Sequence, residues 1–121
     1  MDRLTEFISK IRTVPVVSNA IDDAFLSWGG DVPTSLLFSN VAKALVRDFL
    51  LVSEAELSLV FSAVEDGLNS NDEVMVAYLA TGFLESLNSE ASKHLQVFEQ
   101  IKPHLGYRSR KYLDAWNHWG R

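Results

Sequence analysis

The chain has 121 residues, 16 of them acidic and 11 basic, for a formal charge of -5, and it contains no cysteine. That length suits one helical domain over residues 1–121 with a core that needs no covalent staple. The missing cysteines exclude disulfide frameworks and thiolate metal sites, and the negative charge argues against nonspecific binding to nucleic acid or an anionic membrane.

The N-terminus, Met1-Asp2-Arg3-Leu4-Thr5-Glu6, lacks an apolar leader region, and no apolar run approaches the roughly 20 residues that span a bilayer. A cytoplasmic protein is therefore expected.

In chain order the apolar period is helical nearly everywhere. Leu4, Phe7, Ile8 and Ile11 form a first stripe that Pro15 ends, because the residue before proline avoids the helical region. Ser18 or Asn19 is placed to cap a second helix through Ile21, Phe25 and Trp28, stopped by Gly29-Gly30. Pro33 opens a third, with Leu37, Val41, Leu45 and Phe49 at four-residue intervals. Within it, Phe49-Leu50-Leu51-Val52 alone also fits a short buried strand.

Ser53-Glu54-Ala55-Glu56 and Ser70-Asn71-Asp72-Glu73 both match the capping-box pattern, in which serine and glutamate each accept the other's backbone N–H. The helix after the first carries Leu57, Val60, Phe61, Val64 and Leu68. The helix after the second is apolar on a wide front, from Val74 to Leu87, which predicts a central position. Asn69 and Asn88-Ser89 mark breaks. A helix through Leu95, Val97, Phe98 and Ile101 runs to Pro103, and a last one, roughly Ser109 to Trp119, is closed by Gly120. The expected fold is all-α, a single-domain bundle of about six helices in antiparallel hairpins.

Charge is distributed less evenly than the apolar residues. From Asp48 to Ser92 there are nine carboxylates (Asp48, Glu54, Glu56, Glu65, Asp66, Asp72, Glu73, Glu85 and Glu90) and no lysine or arginine. After Ile101 the sign reverses, with Lys102, Arg108, Arg110, Lys111 and Arg121 against Asp114. Solvated helices usually mix signs, because Glu and Lys one turn apart support each other. A stretch of one sign forgoes that support and builds a field that attracts a basic partner.

Part of the run has a local cause, since acids are favoured near helix N-termini. Glu65, Asp66 and Glu85 lie toward C-terminal ends, where the dipole disfavours them, and Asp72 is not the reciprocal capping residue. Glu65, Asp66, Asp72 and Glu85 are thus the candidate partner-binding residues. Reversing Glu65 and Asp66 to lysine is expected to weaken binding and leave the fold intact.

Catalytic signatures are absent. The histidines His94, His104 and His118 form no one-turn pair flanking a glutamate, and phosphate-loop, dinucleotide, calcium-loop and nucleophile-elbow patterns are missing. Glu90 with His94 and Asp114 with His118 share helix faces and read as surface salt bridges. Glu65-Asp66 and Asp72-Glu73 lack the lysine or histidine that accompanies carboxylates in two-metal sites, so a solvated or partner-facing surface is favoured over a metal-dependent hydrolase. Trp28, Trp116 and Trp119 fit a core better than a binding cage. Arg108, Arg110 and Lys111 open the last helix against its dipole, which points to pairing with the acidic segment or to solvent exposure. No enzyme, cofactor or metal is expected.

Three segments carry a resemblance: Ser62-Ala63-Val64-Glu65-Asp66-Gly67-Leu68-Asn69-Ser70-Asn71-Asp72-Glu73-Val74, Ala80-Thr81-Gly82-Phe83-Leu84-Glu85-Ser86-Leu87, and His104-Leu105-Gly106-Tyr107-Arg108-Ser109-Arg110-Lys111-Tyr112-Leu113-Asp114-Ala115-Trp116. Over roughly residues 45–120 the chain resembles small all-α bacterial immunity proteins of contact-dependent growth-inhibition systems. The resemblance implies a protein that binds and neutralises a cognate toxin domain, a basic nuclease in many such systems, through an acidic surface. The second expectation is a helical adaptor or regulatory module without a toxin partner.

Overall fold

The computed structural model describes residues 2–119, with side chains for residues 2–116. The described residues form seven helices and no strand. They are α1 (Arg3–Ile11), α2 (Pro15–Trp28), α3 (Thr34–Arg47), α4 (Glu54–Leu68), α5 (residues 73–91), α6 (Leu95–Ile101) and α7 (Tyr107–Trp119). Short 3-10 turns, Phe49–Leu51 and Lys102–His104, join α3 to α4 and follow α6. The all-α bundle expected from apolar periodicity is what forms. No described helix is long and apolar enough to cross a membrane.

Local chemistry sets most boundaries. Asp2 caps α1 by accepting from the Thr5 amide at 2.7 Å, and that bond holds its carboxyl below the usual range. Pro15 does not merely follow α1; it opens α2 at the first helical position, where its missing N–H costs nothing, so the expected caps Ser18 and Asn19 lie inside the helix. Gly29 ends α2 with φ +76°, the one positive φ among the described residues. The Ser53 box is formed in both directions, at 2.9 and 3.1 Å.

The second box is not. Asp72 caps α5 by accepting from the Met75 amide at 3.1 Å, while the Ser70 hydroxyl donates backward to the Gly67 carbonyl at 2.7 Å. Asn88-Ser89 does not break α5, which continues to Ala91. The residues from Phe49 to Leu51 form a 3-10 turn rather than a strand or the end of α3.

The core sits around α5, as its wide apolar front predicts: Leu79, Phe83, Leu84 and Leu87 are fully buried. Each such burial is worth about 1.5–3 kcal/mol. Phe7 of α1 meets Phe38 of α3 at a tilt at 5.2 Å, Phe38 meets Tyr78 of α5 edge-on at 6.4 Å, and Phe61 of α4 meets Phe83 edge-on at 5.9 Å.

The most extensive contact joins α3 to the middle of α5. Ser35 lies against Gly82, Ser39 bonds Ser86 at 2.7 Å, and Arg47 reaches Glu90. These pairs advance in step, so α3 and α5 run parallel in direct contact, and α4, the helix that connects them in the chain, packs against α1, α5 and α7. Residues Tyr78–Leu84 of α5 adopt a π-helical winding at this contact. Here Gly82 allows the backbones to close up, because a Cβ at this position would stand 3.0 Å from the Ser35 carbonyl oxygen.

Candidate functional site

The nine carboxylates of the acidic stretch divide into four that bind within the fold and five that do not. Glu56 completes the Ser53 box. Asp72, expected to have no capping role, is the N-cap of α5.

Glu65 is the largest departure from expectation. Its carboxylate reaches across to α7 and accepts from the backbone amides of Arg108 at 2.8 Å and Ser109 at 3.2 Å, and from the Ser109 hydroxyl at 3.1 Å. It therefore caps the first turn of a helix other than its own, where a negative charge is favoured by the dipole. The view that Glu65 has no structural reward is corrected by these bonds.

Gly106 makes the approach possible, since a Cβ there would collide with the Glu65 carboxylate. Asn69 braces the same junction, donating to the Glu65 carbonyl at 3.0 Å and accepting from the Arg108 guanidinium. Ser109, fully buried, is thereby satisfied.

Glu90 is the fourth. It lies 3.8 Å from His94, as the one-turn spacing implies, but it is not a surface residue: only 4% of it is exposed. Arg47 approaches its two oxygens at 3.4 Å each, and Lys93 lies at 4.0 Å. Arg47 and Lys93 are the cations that bound the lysine-free stretch on either side, and both converge on its one buried acid. Three partial partners replace the water that burial removes.

Asp48, Glu54, Asp66, Glu73 and Glu85 are exposed, and none takes part in an ion pair among the described residues. Glu54 and Glu73 gain from the first turns of α4 and α5. Asp48 at the end of α3, Asp66 near the end of α4 and Glu85 inside α5 have no such reward.

Of the four candidate residues, the fold keeps Glu65, Asp66 and Asp72 around the α4–α5 turn. Glu65 is directed to α7, whereas Asp66 lines a small cleft against α1 with Arg3, Glu6, Phe7 and Lys10. Glu85 lies some three and a half turns further along α5, roughly 20 Å from Asp72. The four do not form one cluster.

The basic segment is largely employed as well. Arg110 donates to the Leu105 and Lys102 carbonyls at 3.2 and 2.9 Å, tying α7 to the preceding 3-10 turn. Lys111 lies over the Tyr107 ring, 5.4 Å from its centroid. His104 is within 3.0 Å of the Ser58 hydroxyl on α4. Trp116 packs against the core beside Tyr112, but Trp28, expected inside, is 57% exposed. The side chains of His118 and Trp119, and residues Gly120 and Arg121, lie outside the described residues.

Among the described residues no group of three or more histidine, aspartate or glutamate side chains is placed to hold a metal ion. Comparison with protein-family models, with curated proteins and with solved structures finds no match for this chain.

Two features named in the sequence were not singled out as candidate site residues: the exposed acids Asp48 and Glu54, and the leucines between them, which form an exposed turn. The signal was present, because Asp48 and Ser53 are turn formers that bracket Phe49-Leu50-Leu51-Val52.

Proposed function

We propose that this chain is an immunity-type protein that binds and neutralises a cognate toxin domain with a basic surface, a nuclease, inside the cell that makes it. The observation that carries the reading is the set of five exposed carboxylates, in no ion pair among the described residues, across 45 residues that hold no lysine or arginine. A nuclease must present positive charge to the phosphate backbone. An acidic protein competes for that surface and is steered to it by the field of its own charges. Asp66 and Glu85 keep their place as partner-binding residues; Asp48, Glu54 and Glu73 join them on exposure. Glu65 and Asp72 act at helix starts, and any contact they make with a partner is additional to that work.

The test pairs the purified chain with the toxin domain encoded beside it. Expected are stoichiometric inhibition and an association rate that falls steeply as ionic strength rises. An association rate independent of salt would remove charge steering, and full toxin activity in the presence of excess chain would remove the immunity reading.

A helical adaptor is the second reading. The observation that favours it is the exposed apolar group Phe25, Leu26 and Trp28 at the end of α2, which serves a protein partner of any charge.

A further inference from the structure

The 3-10 turn between α3 and α4 carries two adjacent leucines, Leu50 and Leu51, that are 94% and 74% exposed. A two-leucine tip is an odd choice for a turn, where glycine, asparagine, aspartate, serine and proline dominate for conformational reasons. The tip is nevertheless firmly held. The Leu51 amide donates to the Asp48 carbonyl at 2.9 Å and the Val52 amide to the Phe49 carbonyl at 3.1 Å. Val52 is buried, Phe49 packs against the core, and the Ser53 box fixes the chain immediately afterwards. The leucines are therefore presented in a set geometry, so a partner that covers them pays little ordering entropy.

A cavity of about 450 Å³ opens beside the tip, lined by Phe49, Leu50, Val52, Leu57 and Pro103, with Glu54, His104 and Glu99 among its polar residues; Glu99 is paired with Lys102 at 3.4 Å, which leaves Glu54 as the acid of the lining outside any ion pair among the described residues. Asp48 lies on the other side of the leucines along the chain. Apolar anchors with an acidic rim have the composition of a protein-binding hot spot for a cationic partner. The same rim argues against a second copy of this chain, because two tips meeting face to face would bring Asp48 and Glu54 against their own copies.

We propose that the Asp48–Glu54 turn and its adjoining cavity are the docking surface for a cationic, partly apolar protein segment, with Leu50 and Leu51 as anchors and the exposed acids Asp48 and Glu54 as charge selectors. The proposal rests on the basic-partner reading above and locates it on one part of the molecule.

The test titrates the ¹⁵N-labelled full chain with a short amphipathic helical peptide of leucine and lysine at about 150 mM salt, with a leucine–glutamate peptide of the same pattern as control. Expected are shifts concentrated at residues 48–57 and 99–104 with the lysine peptide and none with the glutamate peptide. Leu50→Ser with Leu51→Ser should weaken binding at least about tenfold while leaving the dichroism spectrum unchanged. Asp48→Asn with Glu54→Gln should weaken it with the leucines intact.

Undiminished binding by the serine variant would overturn the proposal. So would shifts centred on Phe25, Leu26 and Trp28, or concentration-dependent dimerisation of the wild type that the serine variant abolishes. Shifts centred instead on Asp66 or Glu85 would overturn the docking surface and keep the basic-partner reading. No binding of the lysine peptide even at low salt would overturn both.

Discussion

Glu65 and Asp66 are neighbours on α4, yet the fold uses them in opposite ways. A step of one residue turns about 100° around a helix, which directs Glu65 to the start of α7 and Asp66 to the cleft beside α1. The first accepts three hydrogen bonds across a junction and is partly buried; the second is exposed and is in no ion pair among the described residues. The same division separates Glu90 from Glu85 on α5. Negative charge in this molecule thus does two jobs, joining helices at Glu65 and Glu90 and covering the surface at Asp66 and Glu85. Reversing charge at a joining acid should act on stability, and at a surface acid on partners alone.

The largest effect is expected from Glu65→Lys. It removes the cap of α7 and puts a cation where the helix N-terminus is already positive, at a cost of about 2–3 kcal/mol. This revises the expectation that a Glu65–Asp66 double reversal leaves the fold intact. Urea denaturation decides it, and a midpoint equal to wild type would dissolve the distinction between the two neighbours.

Glu90→Gln should follow at about 1–2 kcal/mol. Arg47, Lys93 and His94 are each about half exposed or more, so they return to water when the carboxylate goes, which keeps the loss below that of stranding a buried charge. A double-mutant cycle with Arg47→Ala should show coupling, because the two side chains meet at 3.4 Å. Additive effects would mean that Glu90 is held by its other neighbours alone.

Gly106→Ala tests the Glu65 junction from the other side. The added methyl displaces the carboxylate and should cost about 1 kcal/mol, the usual value of a cap. In a Glu65→Ala background the same change should cost nearly nothing, since the atom it strikes is gone. An equal penalty in both backgrounds would place the strain in the Gly106 backbone instead.

These contrasts explain what could be read in the chain beforehand. Helix type and the Ser53 box were legible because their causes lie within one turn: apolar residues repeat every three or four positions, and Ser53 and Glu56 are three apart. The start of α2 carried its signal in Pro15, but Ser18 and Asn19 competed for the same reading. At α5 two cap formers stood two residues apart, and Asp72 prevailed while Ser70 turned to Gly67. The role of Glu65 had no local sign at all, and that of Glu90 only its one-turn neighbour His94, which gave no hint of burial or of Arg47. Their partners Arg108 and Arg47 are each 43 residues away in the chain, and only packing brings them near.

The smallest stability effect belongs to Asp66→Lys with Glu85→Lys. Both residues are exposed, neither caps a helix, and both lie where the dipole gives them no reward. Replacing them by lysine should shift stability by about 0.5 kcal/mol or less at each site. A slight gain at Asp66 is reasonable, since a cation near the end of α4 meets a favourable dipole, although Arg3 and Lys10 across the cleft oppose it. The partner should respond differently. Two reversals in a stretch without lysine or arginine weaken the long-range field, so association with a basic partner of the proposed kind should slow, and its salt dependence should flatten, while dissociation changes less. Stopped-flow association at two ionic strengths separates these cases. An unchanged rate with unchanged stability would show that Asp66 and Glu85 only solvate the bundle, and the search for the contacting acids would pass to Asp48, Glu54 and Glu73.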